Sequence, residues 1–152
     1  IEDGLKYVRE IGPGKGETFD LIVLDLTDPL GPAAELYSPR FMAECKALLN
    51  EGGMFVLHIG PPVYAPERVS GLMKNLSSVF DIVAPYFVYI PLYGSLWGMA
   101  CASDTRDPRQ ITEAKVDGII RERSLSNLQY YNGATHEAGF ALPEYLKKIL
   151  YS

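Results

Sequence analysis

Cysteine is scarce in this sequence: Cys45 and Cys101 are the only two in 152 residues. Two thiols without metal-ligand spacing exclude a disulfide framework and a cysteine-built metal centre, and they favour a reducing compartment. Both are expected as buried core thiols. Basic residues are in deficit too, fourteen against nineteen acidic ones, for a formal net charge of −5. That balance disfavours a sequence-independent grip on nucleic acid phosphates and suits a cationic partner. No apolar stretch approaches the roughly twenty residues of a membrane-spanning helix, and no basic-then-apolar leader opens the chain. A cytoplasmic protein that binds neither membrane nor nucleic acid is expected.

What is present is enough apolar material, 47% of positions, for one buried core. Residues 21–26 form a short apolar run between Gly-rich and Pro-rich stretches, the pattern of a strand buried on both faces of a parallel sheet. Ser38-Pro39 is an N-cap and first-turn pair, and Phe41, Met42, Cys45, Leu48 and Leu49 follow at helical spacing until Gly52-Gly53. A second strand is expected over 54–59, then a helix from Pro66 with Val69, Leu72, Met73, Leu76, Val79 and Phe80 in one stripe. Residues 82–90 and 96–102 are again strand-like, with only Pro91 to Ser95 between them. That gap is too short for a parallel crossover, so the two must form an antiparallel hairpin. A helix over 112–128, with Leu125 and Leu128 facing inward, and a short one from Pro143 through Leu150 complete the pattern.

This order predicts an α/β fold, the C-terminal part of a methyltransferase-type Rossmann sheet, mostly parallel with an antiparallel edge hairpin. Such sheets have about six or seven strands, and four are visible, so N-terminal strands are expected to be missing. Glu2, Asp3 and Gly4 also run straight into an apolar pattern, as if Ile1 fell inside a structural unit. Residues 1–152 therefore read as the C-terminal part of a single domain. The strand at 21–26 should have a raw edge that invites pairing with another chain, and a homo-oligomer is expected.

In an open α/β sheet the ligand crevice lies beyond the carboxyl ends of the strands, where Asp25-Leu26-Thr27-Asp28-Pro29 falls. Pro29 biases Asp28 toward an extended conformation, so both carboxylates can face one cavity. The alternative is local: Asp25 capping a helix and Asp28 making an Asx-turn. His58, near the end of the second strand, can donate into the same crevice or be hydrogen-bonded in the core. Tyr93 and Trp97, at the hairpin turn, can flank a cation or pack the turn. Gly12, Gly14 and Gly16 precede a strand and meet no phosphate-loop spacing, so they read as a flexible turn. His136 has no partner at metal spacing and reads as structural, and Tyr130-Tyr131 as packing.

Taken together, Leu24-Asp25-Leu26-Thr27-Asp28-Pro29-Leu30-Gly31-Pro32-Ala33, Leu36-Tyr37-Ser38, Gly52-Gly53, Ile90-Pro91-Leu92-Tyr93-Gly94-Ser95, Tyr130-Tyr131-Asn132, His136 and Phe140-Ala141-Leu142-Pro143 resemble the polyamine aminopropyltransferases, the spermidine synthases and their relatives. The resemblance implies transfer of an aminopropyl group from decarboxylated S-adenosylmethionine, a co-substrate, to a polyamine acceptor such as putrescine. The products would be spermidine and methylthioadenosine. It further implies that Asp25 accepts the proton, that Asp28 and Tyr93 hold the amine, and that Asp3, Gly4, Pro32 and Ala33 meet the adenine. The glycine-rich nucleotide loop and ribose-binding acid of the family have no counterpart here, so this portion alone is expected to be inactive. Where the family often has Gln-x-Glu, this chain has His58-Ile59-Gly60, which loses an acid for the far end of a diamine and leaves His58 to face the substrate. The hairpin turn is also one residue shorter than usual and lacks a proline.

Elementary chemistry agrees with those roles. A primary amine with a pKa of roughly 10.4 is about 99.9% protonated at neutral pH, so exposing its lone pair costs on the order of 4 kcal/mol. A positioned carboxylate can take that proton, and general-base help is typically worth roughly 10²–10⁴-fold. No metal or resident cofactor is expected, because a sulfonium is already a good leaving group. Two other readings use the same acids: a methyltransferase-like nucleoside-binding enzyme that alkylates something else, and a non-catalytic polyamine-binding module.

Overall fold

A computed structural model describes residues 3–26 and 31–151, with the Pro32 side chain excepted. Four strands form one sheet in the order β1-β2-β4-β3, where β1 is Phe19–Leu24, β2 Leu49–Gly60, β3 Ile82–Ile90 and β4 Ser95–Ser103. β1 pairs parallel with β2, β2 antiparallel with β4, and β4 antiparallel with β3. Three strands therefore run one way and β4 alone runs back, inserted between β2 and β3. This is the expected arrangement. The hairpin forms where the sequence placed it, closed by a 3₁₀ turn at Pro91–Tyr93 and by Gly94 at φ +60°.

Helices α3 (Pro39–Lys46), α4 (Pro66–Ser77) and α7 (Glu144–Tyr151) pack on one face. The Ser38 side chain caps α3 by accepting from the Phe41 amide at 3.2 Å. Phe41, Met42 and Cys45 of α3, Phe55, Leu57 and Ile59 of β2, the α4 stripe and Leu146 and Leu150 of α7 make the core. Phe55 and Phe80 stack inside it with ring centroids 5.6 Å apart. The chain enters this layer through helical turns at Gly4–Lys6 (α1), Tyr7–Ile11 and Gly12–Lys15 (α2).

The opposite face is covered at its β3–β4 end by α6 (Gly133–Phe140), which packs on β3 and on α5 (Glu113–Glu122). At its β1 end, Leu21 and Val23 are 54% and 52% exposed, so β1 is not buried on both faces as its sequence suggested. Among the described residues its outer edge also has no strand beside it. An unbroken apolar run reports the capacity for burial and not its occurrence.

Three further expectations change. The helix after Ser38 stops at Lys46, and Leu49 already belongs to β2, which accommodates Gly52 at φ +70° in a bulge between the Phe19↔Leu49 and Leu21↔Met54 pairs. The 112–128 helix ends at Glu122, because Ser124 turns left-handed at φ +53°, and Leu125 and Leu128 are exposed instead of inward. Gly12–Lys15 is helical and not a loose turn, with Gly16 as its left-handed cap at φ +66°.

Candidate active site

The carboxyl ends of β1 and β2 lie side by side because the two strands are parallel, with Leu24 opposite Leu57. Asp25 is the first residue beyond β1, and continuing the register by one step sets it beside His58. Asp25 is exposed. Asp28 lies outside the described residues, as does the side chain of Pro32.

His58 is 3% exposed, and its Nε2 lies 2.5 Å from the Tyr37 hydroxyl. Its Nδ1 has no hydrogen-bond partner among the described residues. A buried polar atom left unpaired is costly, on the order of 1–3 kcal/mol, so Nδ1 is a position that an incoming polar group can satisfy. The ring is sandwiched by geometry as well: Trp97 stacks on it at 6.0 Å and 19°, and Tyr37 meets it edge-on at 5.7 Å. Trp97 in turn contacts the half-exposed Tyr93 at 4.7 Å. The series Tyr37, His58, Trp97 and Tyr93 thus links the segment after β1 to the hairpin turn.

Sequence reasoning named His58, Tyr93 and Trp97 but gave Tyr37 no role. The two members of the Tyr37–His58 pair are far apart in the chain and meet only through the strand register. Two residues beyond His58, Gly60 has φ +89°, and the Arg68 guanidinium lies where a side chain at this position would begin, 2.5 Å from an ideal Cβ. The end of β2 therefore carries a guanidinium where the family resemblance leads one to expect a carboxylate.

On the other side of β1 a cavity of about 470 Å³ is lined by Gly4, Tyr7, Ile22, Leu24, Leu26 and Leu36 among others. Its apolar walls suit a flat, weakly polar ring. Asp3 is exposed and its carboxylate accepts from the Lys6 amide at 2.9 Å, so it caps α1 next to the cavity. Ala33 sits half-buried in the 3₁₀ segment Gly31–Tyr37, whose Leu36 closes the cavity. Arg9, tied to Glu35 and Glu44 at 2.7 Å each, fastens this segment to the N-terminal helical turns, and the pairing holds the Glu44 carboxyl below its usual range. The asparagine cap and threonine of α6 form a reciprocal capping box, Asn132 with Thr135, and His136 follows on this helix, which packs on β3 and α5.

Among the described residues no cluster of His, Cys, Asp or Glu could hold a metal ion, and no helix is long and apolar enough to cross a membrane. Both thiols are buried as expected, and burial pushes them up to about 12 for Cys45 and about 11 for Cys101.

Comparison with known proteins bears on this geometry. Residues 1–113 match a family described as the spermine/spermidine synthase domain. A polyamine aminopropyltransferase of Nitrosomonas europaea is 43% identical over 132 residues, 87% of this chain and 41% of that protein. Polyamine aminopropyltransferase 2 of Hyperthermus butylicus is 38% identical over 152 residues, 99% of this chain and 48% of its own length. A spermidine synthase crystallised with the transition-state analogue AdoDATO superposes with a TM-score of 0.83 at 30% identity, covering 99% of this chain and 50% of that one. The Thermotoga maritima spermidine synthase gives 0.80, also at 30% identity, over 99% of this chain and 48% of its own. The chain spans about half the length of the curated relatives it matches.

Proposed function

The chain belongs to the spermine/spermidine synthase domain family, and on that premise we propose that it forms the C-terminal, amine-handling part of an aminopropyltransferase catalytic domain. The donor is decarboxylated S-adenosylmethionine and the acceptor a polyamine such as putrescine. The observation that carries this reading is the exposed Asp25 one residue past the Leu24↔Leu57 pair, at the strand ends that also present the buried His58, with the cavity lined by Gly4 bordering β1.

In the transfer, the acceptor nitrogen gives its proton to Asp25 and its lone pair attacks the aminopropyl methylene that is bonded to the sulfonium sulfur. The carbon–sulfur bond breaks, its electrons go to the sulfonium, and neutral methylthioadenosine leaves. Alignment of nitrogen, carbon and sulfur can supply several kcal/mol beyond the general-base term. Tyr93 lines the amine's approach, Asp28 holds its distal ammonium, and Asp3, Gly4, Pro32 and Ala33 border the adenine. His58 offers Nδ1 to the acceptor, its ring fixed by Tyr37 and Trp97. With Gly60 and Arg68 following, the diamine's far end loses an anionic anchor, and acceptor choice shifts away from compact dications.

Asp25→Asn tests the base. In the whole protein it is expected to cut turnover by at least about 10² while leaving amine and nucleoside binding largely intact. Small and equal effects on turnover and binding would remove the assignment. A methyl-transfer product from S-adenosylmethionine would favour the methyltransferase-like alternative.

A further inference from the structure

On the sheet face that carries His58, between α6 and the outer hairpin, lies a separate cavity of about 340 Å³. Its walls include Tyr86 of β3, Cys101 of β4, Tyr130 and Tyr131 from the segment before α6, and His136 and Phe140 of α6. The register runs Val56↔Cys101 and His58↔Met99↔Tyr86, so the cavity lies over β4 and β3, beginning one strand away from His58. It shares no lining residue with the cavity beside β1.

The hydrogen bonds joining Pro108, His136 and Tyr131 give this wall of the cavity a fixed direction. His136 Nε2 lies 2.9 Å from the Pro108 carbonyl, and Nδ1 lies 2.8 Å from the Tyr131 hydroxyl. A carbonyl can only accept, so Nε2 carries the proton; Nδ1 of the neutral ring is then an acceptor, and Tyr131 gives it its one proton. The Tyr131 oxygen is left able to accept but not to donate. Burial pushes the Tyr86 hydroxyl up to about 12 and raises that of Tyr131, so both stay neutral phenols. Phe140 fixes the wall, with its ring 5.5 Å from Tyr86 and 5.2 Å from His136. Among the described residues no lysine or arginine lines the space. Arg109 lines the adjoining cleft, where its guanidinium is held by both oxygens of Asp107 at 2.8 Å.

Aromatic faces attract cations through their quadrupoles, and a hydroxyl that only accepts complements an N–H donor. We propose that this cavity is a second binding site, for the ammonium end of a primary alkylamine, with Tyr131 as hydrogen-bond acceptor and Tyr86 and Phe140 as the cage. The volume fits a short alkyl chain and its head group. The site names a ligand class shared with the proposed function but stands without it, because none of its residues belongs to the crevice at Asp25.

The test is a site-resolved NMR titration of the chain with 1-aminobutane, and with 1-butanol as its uncharged counterpart, at a pH where imidazole is neutral. Amide shifts at Tyr86, Cys101, Tyr131 and His136 are expected with the amine, and the alcohol should bind at least about tenfold more weakly. Tyr131→Phe and Phe140→Leu should each weaken amine binding at these residues by at least about threefold, and Asp25→Asn should leave it unchanged. Equal binding of amine and alcohol overturns the proposal. Shifts confined to Asp25 and His58 also overturn it, while leaving the proposed function standing. Should either variant fail to fold, the amine-against-alcohol comparison on the unaltered chain decides the matter by itself.

Discussion

Tyr37 and His58 pair through two groups that each need a partner, in a place with almost no water. Tyr37→Phe keeps the ring and removes the hydroxyl, so it strands a second imidazole nitrogen beside the already unpartnered Nδ1. The expected loss is about 1–3 kcal/mol, read as a lower midpoint in chemical denaturation with an unchanged slope. An unchanged midpoint would mean that the pair carries no net stability. At this scale the sequence was half legible. Asp25, His58 and Tyr93 could be picked out from strand ends and a turn, whereas Tyr37 and Arg68 could not, because a hydrogen bond between distant residues and a guanidinium resting on a glycine are products of register and packing.

Between elements, β4 passes β2 and β3 closely at Gly98. A Cβ there would stand 2.7 Å from both Ile59 and Phe87, whose side chains are in the core. Gly98→Ala is therefore expected to destabilise by about 1–3 kcal/mol, as overpacking does. Leu125→Ser, in contrast, should change stability by no more than about 0.5 kcal/mol, because that leucine is outside the helix and exposed. Parallel thermal melts of the two variants check both statements, and a large loss at Leu125 would restore the longer helix. The hairpin and the α3 cap were readable from sequence since each is set within a few residues: Pro91 to Ser95 leaves no room for a crossover, and Ser38 caps as placed. The end of α5 was not, because Ser124 leaves the helical region without a glycine or proline to announce it.

Across the molecule, one charged tie joins three distant stretches. Lys46 at the end of α3 donates to the Val79 carbonyl at 2.7 Å and to Asp104 at 2.8 Å, and Asp104 also accepts from the Asp81 amide. The hydrogen bond from Lys46 holds the Asp104 carboxyl below its ordinary 3.8, against the opposing effect of desolvation. A depressed carboxylate contributes stability that is present above its unfolded value and lost as pH falls through the folded one. Asp104→Asn should therefore lower the melting temperature at neutral pH, and the gap from the unaltered protein should close as the pH drops below about 4. A gap that persists in acid would mean that the tie acts through packing and not charge. Asp107, beside Arg109, is depressed in the same direction and should add to the acid sensitivity of the hairpin side. The overall α/β order could be read from the sequence, but the half-exposed face of β1 could not, since an apolar strand looks the same whether or not something covers it.

Trp97, the lone tryptophan of the sequence, stands between His58 and Tyr93. Its ultraviolet emission consequently comes from one spot, the rim at which the proposed function places the amine, with no other indole in this sequence to dilute it. The molecule carries a built-in optical gauge of that rim, so occupancy can be followed in solution without attaching a dye.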